Sequence, residues 1–300
     1  MADSIKLKSW ISAFRLRTFP LAIASIGMGG FLAASKHSFN WIIFLLTILT
    51  TILLQILSNL ANDYGDSENG ADNKDRIGPL RTVQTGAISK TTMKNAIVVF
   101  VILSLISGLL LILVALGWNY KFLFFLILGI LSIAAAIKYT AGKNPYGYAG
   151  LGDLSVFIFF GLVGVIGSFY LHTNNFYFAL FLPASSCGFF SAAVLNINNM
   201  RDIESDCKAE KNSLPVRIGL PNAKLYHYSL LVLGISCSLI YAFLYFKDWY
   251  QFLFLLVIPF LVFNAYNIYK SESKNMDVFL KQMALTTLAF VLSFGLGLIY

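Results

Sequence analysis

Apolar residues run along the chain in nine long stretches that short polar segments separate. Each stretch has a length close to that of a membrane-spanning α-helix, which is about 20 residues. The pattern predicts an all-α, polytopic transmembrane bundle, with a short amphipathic lead-in over residues 9–18 at the membrane surface. The predicted helices lie at about 19–35, 41–62, 93–116, 121–139, 151–171, 177–199, 225–246, 250–269 and 279–299.

Composition supports the membrane assignment and limits the number of domains. Of 300 residues, 58% are hydrophobic and 12% are charged, whereas soluble domains carry about 25% charged residues. The longest polar stretches, 63–91 and 200–223, are too short for a separate soluble domain. We therefore expect one integral membrane domain over residues 1–300, with Asp-rich loops at 59–91 and 196–223.

The distribution of Lys and Arg predicts the orientation. If the N-terminus is inside, nineteen of the 22 basic residues fall on the inner side, and only Lys36, Lys121 and Lys247 fall outside. Such an excess is typical of cytoplasmic loops. The net charge of +8 is thus explained by topology, and nucleic acid is not an expected partner.

Acidic residues show a separate pattern on the same side. Nine of the fourteen lie in two short segments, which follow predicted helices two and six. These nine are Asp63, Asp66, Glu68, Asp72, Asp75, Asp202, Glu204, Asp206 and Glu210. The segments open with the same spacing, Asn59-x-x-x-Asp63 and Asn198-x-x-x-Asp202, which resembles a weak internal repeat.

Helical geometry groups these side chains, because residues at i, i+3, i+4 and i+7 share a face. Carboxylate and amide oxygens in such a group suit Mg²⁺, which proteins hold through one or two carboxylates plus substrate phosphates. We expect the two faces to meet across a cavity, and the carboxylates to repel one another without a cation. The expected residues are Asn59, Asn62, Asp63 and Asp66 on the first face, and Asn198, Asn199, Asp202 and Asp206 on the second.

Basic residues accompany both clusters, and Arg can bind diphosphate oxygens in a bidentate way. The candidates for contacts with diphosphate or acceptor are Arg76, Arg81, Lys143, Tyr139, Arg201, Lys211 and Arg217. Each basic residue could equally serve orientation alone. Glu68, Asp72 and Glu204 are more readily interpreted as caps or solvated residues.

The two segments and several others resemble one family. The runs 58–66 (SNLANDYGD) and 75–81 (DRIGPLR), with 15–20 (RLRTFP), 148–153 (YAGLGD) and 195–217, are similar to the motifs of UbiA-type intramembrane prenyltransferases, in order along nearly the whole chain. Among these, the motifs are most similar to those of the menaquinone-pathway members that prenylate 1,4-dihydroxy-2-naphthoate.

The resemblance implies a nine-helix bundle around a cavity open to the cytoplasm and, laterally, to lipid. Asp63 and Asp66 would hold one Mg²⁺, and Asp202 and Asp206 a second, with Asn59 and Asn198 assisting. It also implies a bacterial inner-membrane enzyme that joins the chain of a polyprenyl diphosphate to the naphthoate, releases CO₂ and diphosphate, and forms demethylmenaquinone. Asp153 could orient the acceptor or polarise its hydroxyl, although a helix cap is a comparable interpretation.

Other interpretations remain open at this stage. The first motif spaces its acids at i and i+3, and Glu210 follows Asp206 where the wider superfamily has Asp; both features disfavour 4-hydroxybenzoate as the acceptor without excluding it. A lipid or quinone transporter would place ionisable groups near the bilayer midplane, where the predicted helices carry almost none. The Asp-Gly-x-x-Ala-Arg core of CDP-alcohol phosphotransferases is absent from the sequence.

Overall fold

The protein is a bundle of membrane-length helices, seen in a computed structural model that describes the backbone of residues 2–70 and 78–300 and the side chains from residue 7 onward within those ranges. Nine segments of the described chain are long and apolar enough to span a membrane, as predicted. They are Leu7–Ala34, Trp41–Glu68, Lys90–Leu116, Tyr120–Lys138, Gly152–Thr173, Phe178–Arg201, Leu214–Leu244, Trp249–Lys270 and Asp277–Ile299. The all-α class is confirmed.

The lead-in is a separate helix, α1 (Ala2–Phe14), which is longer than the segment predicted over residues 9–18. It ends at Arg15, whose φ of 50° is left-handed and interrupts the helical path. A 3₁₀ turn at Leu16–Thr18 then leads into α2 (Phe19–Ala34). Pro20 lies in the first turn of α2, where a missing N–H costs no intrahelical hydrogen bond.

The remaining elements are α3 (Trp41–Glu68), α4 (Lys90–Leu116), α5 (Tyr120–Lys138), α6 (Gly152–Thr173), α7 (Phe178–Arg201), the short α8 (Ile203–Lys208), α9 (Leu214–Leu244), α10 (Trp249–Lys270) and α11 (Asp277–Ile299). The segments predicted as loops are partly helical. α3 continues to Glu68, and α9 begins at Leu214, with a break where Gly219 adopts a φ of 78° before Pro221.

Helix α7 lies at the centre of the bundle. Within its apolar membrane-spanning stretch 61% of the residues are buried. The corresponding share for α5 is 11%, as expected for a helix that faces lipid along most of its length. The main core cluster joins α7 to residues of α2, α6, α9, α10 and α11. Gly161 of α6 allows close approach to α7, because an added Cβ would lie 2.7 Å from the Ala184 carbonyl. The packing holds the C-terminal end of α7 in place, and the second acidic cluster begins there.

Candidate active site

The first acidic cluster lies in the C-terminal part of α3. Asn59, Asp63 and Asp66 are buried there, each with at most 3% of its surface exposed. They occupy one face of the helix because they are spaced four and three residues apart. The structure thus brings these three predicted site residues together.

Asp63 is held by the chain segment that returns after the first acidic loop. Its Oδ2 accepts hydrogen bonds from the Thr82 backbone N–H at 3.2 Å and from the Thr82 hydroxyl at 2.6 Å. Its Oδ1 is buried and has no hydrogen-bond partner among the described residues. One carboxylate oxygen is therefore available for a ligand.

Asp66 has charged and neutral partners instead. It forms an ion pair with Arg81 and accepts a hydrogen bond from the Tyr148 hydroxyl at 2.8 Å. Burial, and then the Asp66 charge, raise the pKa of Tyr148, so this phenol stays protonated and donates. Since the Asp66 and Arg81 side chains are only 3% and 8% exposed, the pair is shielded from solvent.

The second acidic cluster lies where α7 gives way to α8. Asp202 joins the two helices with φ −94° and ψ 13°, so the continuous helical face predicted from Asn198 to Asp206 is interrupted there. A backbone hydrogen bond of 2.8 Å from Asp206 to the Asp202 carbonyl keeps the two acids one turn apart. Both are buried.

Arg201 forms hydrogen bonds to both carboxylate oxygens of Asp202. Its Nε and Nη2 donate to Oδ1 and Oδ2 of Asp202 at 2.9 and 2.7 Å, and Nη2 also donates to Asn198 Oδ1 at 2.9 Å. Its Nη1 pairs with Asp277 of α11. The guanidinium is fully buried, and Asn198, Asp202 and Asp277 accept its hydrogen bonds; the diphosphate contact suggested by the sequence stays a prediction.

Asp206 pairs with Lys211 at 3.1 Å, while its Oδ2 is buried without a hydrogen-bond partner among the described residues. Burial raises the pKa of Asp206; Lys211 opposes this, and the charges of Asp202 and Asp66 add to it. Acids of both clusters therefore affect the pKa of Asp206. Arg81, Arg201 and Lys211 each pair with one of the four carboxylates, which offsets part of the repulsion that the sequence predicts.

Two contacts join the clusters across the site. Tyr148, which binds Asp66, has the Lys211 ammonium 5.8 Å from its ring centroid, and its carbonyl accepts from the Asn212 N–H at 3.0 Å. Gly78 lies against Arg201 so closely that a Cβ would be 2.7 Å from Nη2. Each acidic segment is thus supported by residues of the other.

A cavity of about 280 Å³ opens beside the first cluster. Of the four acids only Asp63 lines it, so it is a pocket beside the first cluster and does not test the central cavity expected between the two clusters. Three arginines and one acid with an unpartnered oxygen make it suited to a phosphate ligand together with a cation. Its lining residues are Ile11, Ser12, Arg15, Leu16, Arg17, Asp63, Pro79, Leu80, Arg81 and Thr82.

The two amides of the first predicted face have structural partners. Asn59 Nδ2 donates to the Phe14 carbonyl at 2.9 Å and to the Thr18 hydroxyl at 3.0 Å, which ties α3 to the junction of α1 and α2. Asn62 Oδ1 accepts from the Thr140 hydroxyl at 2.9 Å. Asn62 is thus directed to the end of α5, apart from the other residues of the predicted face.

Two further candidates from the sequence are Tyr139 and Asp153. Tyr139 is half-buried, and burial, followed by the charges of Asp153, Asp66 and Asp206, raises its pKa. Asp153 binds the Tyr226 side chain and keeps a buried Oδ1 without a hydrogen-bond partner among the described residues.

Two predicted cations lie at the surface. Lys143 is exposed, and Arg217 donates to the Asn212 and Ala149 carbonyls at 3.1 and 2.6 Å, so its visible role is to hold the loop. Arg76, with Asp72, Lys74 and Asp75, lies outside the described residues.

Three residues of the site were missed in the candidate set: two partners of the acids, Thr82 and Tyr148, and one partner of Arg201, Asp277. Thr82 directly follows Arg81, which was a predicted diphosphate contact. Tyr148 lies in the run 148–153, which resembles a family motif, although a tyrosine near a helix end is usually an interfacial residue. Asp277 carried no distinctive signal, because an acid at the start of a helix is common.

The donor set fits Mg²⁺ bound together with a diphosphate. The four acids are hard oxygen donors, and the unpartnered oxygens of Asp63 and Asp206 supply one acceptor in each cluster. Within the described chain no three His, Cys, Asp or Glu side chains form a complete metal cage. Mg²⁺ requires none, since phosphates and water normally complete its shell.

Comparison with known proteins gives concordant results. The sequence model of the UbiA prenyltransferase family matches residues 22–297. The chain is 46% identical to the 1,4-dihydroxy-2-naphthoate octaprenyltransferase of Haemophilus influenzae, over 98% of this chain and 96% of that protein. It is 45% identical to the enzyme of the same name from Escherichia coli, over 97% and 96%.

Solved structures share the fold. A UbiA homolog from Archaeoglobus fulgidus bound to DMAPP and Mg²⁺ superposes with a TM-score of 0.67 at 17% identity, covering 97% of this chain and 99% of that one. A second homolog, from Aeropyrum pernix in its apo form, gives 0.69 at 17% identity over 95% and 98%. At this level of identity the likeness concerns the architecture.

Proposed function

The chain belongs to the UbiA prenyltransferase family, and from this premise we propose that it transfers a polyprenyl group from polyprenyl diphosphate to 1,4-dihydroxy-2-naphthoate. The observation that carries the proposal is 45–46% identity over nearly the full length to two relatives that bear this activity in their names. The protein is therefore a transferase, and its direct product is demethylmenaquinol, the reduced form of demethylmenaquinone.

The bonds that change define what the site must do. The C–O bond of the allylic diphosphate breaks and diphosphate leaves with the electron pair, so the allylic carbon becomes cationic. The electron-rich ring forms a new C–C bond to that carbon. The acceptor carboxylate departs as CO₂, and its bonding electrons restore the aromatic ring. Charge on the departing diphosphate is the main electrostatic demand.

A divalent cation supports this step, and Mg²⁺ is the ion we assign. When bound, it stabilises the negative charge of the leaving group. Asp63 and Asp66 would hold one ion, and Asp202 and Asp206 a second. The buried unpartnered oxygens of Asp63 and Asp206 support one position in each cluster.

The basic residues have a second task in this proposal. Arg81 and Lys211 neutralise Asp66 and Asp206 in the structure. Once cations occupy the carboxylates, these side chains can turn to the diphosphate oxygens. Arg15 and Arg17 line the same cavity as Asp63, which favours an anion there.

The acceptor is assigned to the side of the site near Tyr139 and Asp153. Tyr139 stays protonated because its pKa is raised, so it offers a neutral aromatic face and a hydroxyl donor. An aromatic face stabilises a nearby cation. The buried Oδ1 of Asp153 could accept a hydrogen bond from an acceptor hydroxyl.

We further propose a single domain in a bacterial cytoplasmic membrane, with the N-terminus and both acidic segments facing the cytoplasm. The support is the excess of Lys and Arg at that end of the bundle. In this orientation the site faces the compartment that holds the water-soluble naphthoate, while the polyprenyl chain stays in the bilayer.

Purified protein in detergent tests the proposal. It is incubated with Mg²⁺ and a polyprenyl diphosphate, and receives dihydroxynaphthoate or 4-hydroxybenzoate in separate reactions. Prenylated, decarboxylated naphthoate is expected, and chelation of the metal should stop its formation. Prenylated 4-hydroxybenzoate as the dominant product would refute the acceptor assignment and leave the family assignment intact.

A further inference from the structure

Four charged residues from distant parts of the sequence form a line of alternating sign at the second cluster. Arg17 Nη1 lies 3.4 Å from Asp277 Oδ1, and the same oxygen pairs with Arg201. Arg201 in turn binds both oxygens of Asp202. The line connects the junction of α1 and α2, the start of α11 and the end of α7.

Arg201 is the least adjustable member of this line. Its side chain is fully buried, and Gly78 of the first acidic segment packs directly against its guanidinium. A buried guanidinium needs acceptors for its donors, because losing them costs the desolvation of a charged group. Asn198, Asp202 and Asp277 supply these acceptors. Arg201 therefore stays in place, and its neighbours determine how strongly it holds each acid.

Asp277 differs from Asp202 in its exposure. Its side chain is 47% exposed, against 5% for Asp202, so it lies at the rim of the site and the loop beside it is accessible. It also shares Arg201 with Asp202 from the opposite side of the guanidinium. The more strongly Asp277 attracts Arg201, the less positive charge remains to compete with a metal ion for Asp202.

We propose that Asp277 is a positioning residue for cation binding at Asp202, and that it acts through Arg201. The inference rests on the proposed function, because it requires a divalent cation at the second cluster. Asp277 itself touches neither the reacting atoms nor the metal. It balances the charge of Arg201, so that Asp202 can exchange its arginine partner for the ion.

The charge arithmetic gives the expected effect. With Asp277 the line holds two positive and two negative groups and is neutral. Asp277→Asn leaves a single excess positive charge beside Asp202 and makes Asp202 the only anionic partner of Arg201 among the described residues. A divalent ion should then bind on the order of tenfold more weakly, which corresponds to about 1.4 kcal/mol. Solvent at the half-exposed Asp277 keeps the effect from being larger.

The test is a titration that needs no turnover. Purified protein with a fixed concentration of geranyl diphosphate is titrated with Mg²⁺, and the melting temperature is recorded at each point. The Mg²⁺ concentration at half-maximal stabilisation is compared for wild type, Asp277→Asn, Asp277→Glu and Glu272→Gln. Glu272→Gln is the matched control, because it removes the same charge from the same loop, at a pair with Lys274 in which Glu272 is 74% exposed.

The expected midpoint rises about tenfold for Asp277→Asn, returns to within about twofold of wild type for Asp277→Glu, and is unchanged for Glu272→Gln. An Asp277→Asn midpoint equal to that of Glu272→Gln would overturn the inference. So would a lower metal-free melting temperature with an unchanged midpoint, or loss of folding, since both indicate a purely structural residue. If wild type itself shows no Mg²⁺-dependent stabilisation, the proposed function fails instead.

Discussion

Replacing Asp63 and Asp66 separately by Asn should have different consequences for the metal-free protein, although both changes should nearly abolish turnover. The two acids lie three residues apart on α3 and are similarly buried. Asp66 forms a buried ion pair with Arg81, whereas Asp63 accepts from the neutral Thr82. Among the described residues, Asp66→Asn therefore breaks an ion pair, whereas Asp63→Asn breaks none.

The magnitude follows from these partners. Removing one member of a buried ion pair costs about 3–5 kcal/mol. The amide introduced by Asp66→Asn would keep one oxygen for the Tyr148 hydroxyl, so we expect a loss of about 2–3 kcal/mol. The amide introduced by Asp63→Asn would keep the oxygen that Thr82 needs, so stability should change by less than about 1 kcal/mol.

The assay is reversible denaturation, or scanning fluorimetry at one heating rate, in detergent with EDTA, alongside turnover with Mg²⁺. Glu204→Gln is the control, because Glu204 is exposed and should affect neither quantity. Equal stability of Asp66→Asn and wild type would refute the reasoning about the ion pair. An equal loss for Asp63→Asn would refute the distinction between the two acids. Full activity of both variants would refute the metal site.

Three further outcomes are expected. Tyr148→Phe should lower metal-free stability by about 1.5–3 kcal/mol, because it removes a hydrogen bond to the charged Asp66; chemical denaturation measures this. Gly78→Ala should reduce turnover at least severalfold, since its Cβ would lie 2.7 Å from a buried guanidinium nitrogen, and a steady-state assay would show it. In intact cells an impermeant thiol reagent should label Asn174→Cys and spare the exposed native Cys207; the reverse pattern would invert the topology.

Much of the fold could be predicted from sequence because the bilayer constrains it strongly. Apolar runs of spanning length and the alternation of Lys and Arg predict nine helices, and the structure has nine in its described part. The helix ends were less predictable. Polar residues such as Asn62 and Asp66 normally indicate a loop, yet tertiary contacts with Thr140 and Arg81 keep α3 helical to Glu68.

The acids of the site could be predicted, whereas their partners could not. Helical spacing places Asp63 beside Asp66 without knowledge of any other element. The contact between Arg201 and Asp277 joins residues 76 positions apart, and depends on how α7 packs against α11. The same packing determines whether a cation faces a substrate or a carboxylate, which composition and spacing do not reveal.

The most direct test of the central claim is a competition between acceptors. Wild-type protein, Mg²⁺ and a polyprenyl diphosphate are supplied with equal amounts of two acceptors, 4-hydroxybenzoate without label and dihydroxynaphthoate labelled in its carboxyl group. Labelled CO₂ and both prenylated products are then measured. The account predicts prenylated naphthoate almost alone, with one labelled CO₂ released per molecule formed. Predominance of prenylated 4-hydroxybenzoate, or prenylated naphthoate that retains its label, would contradict it.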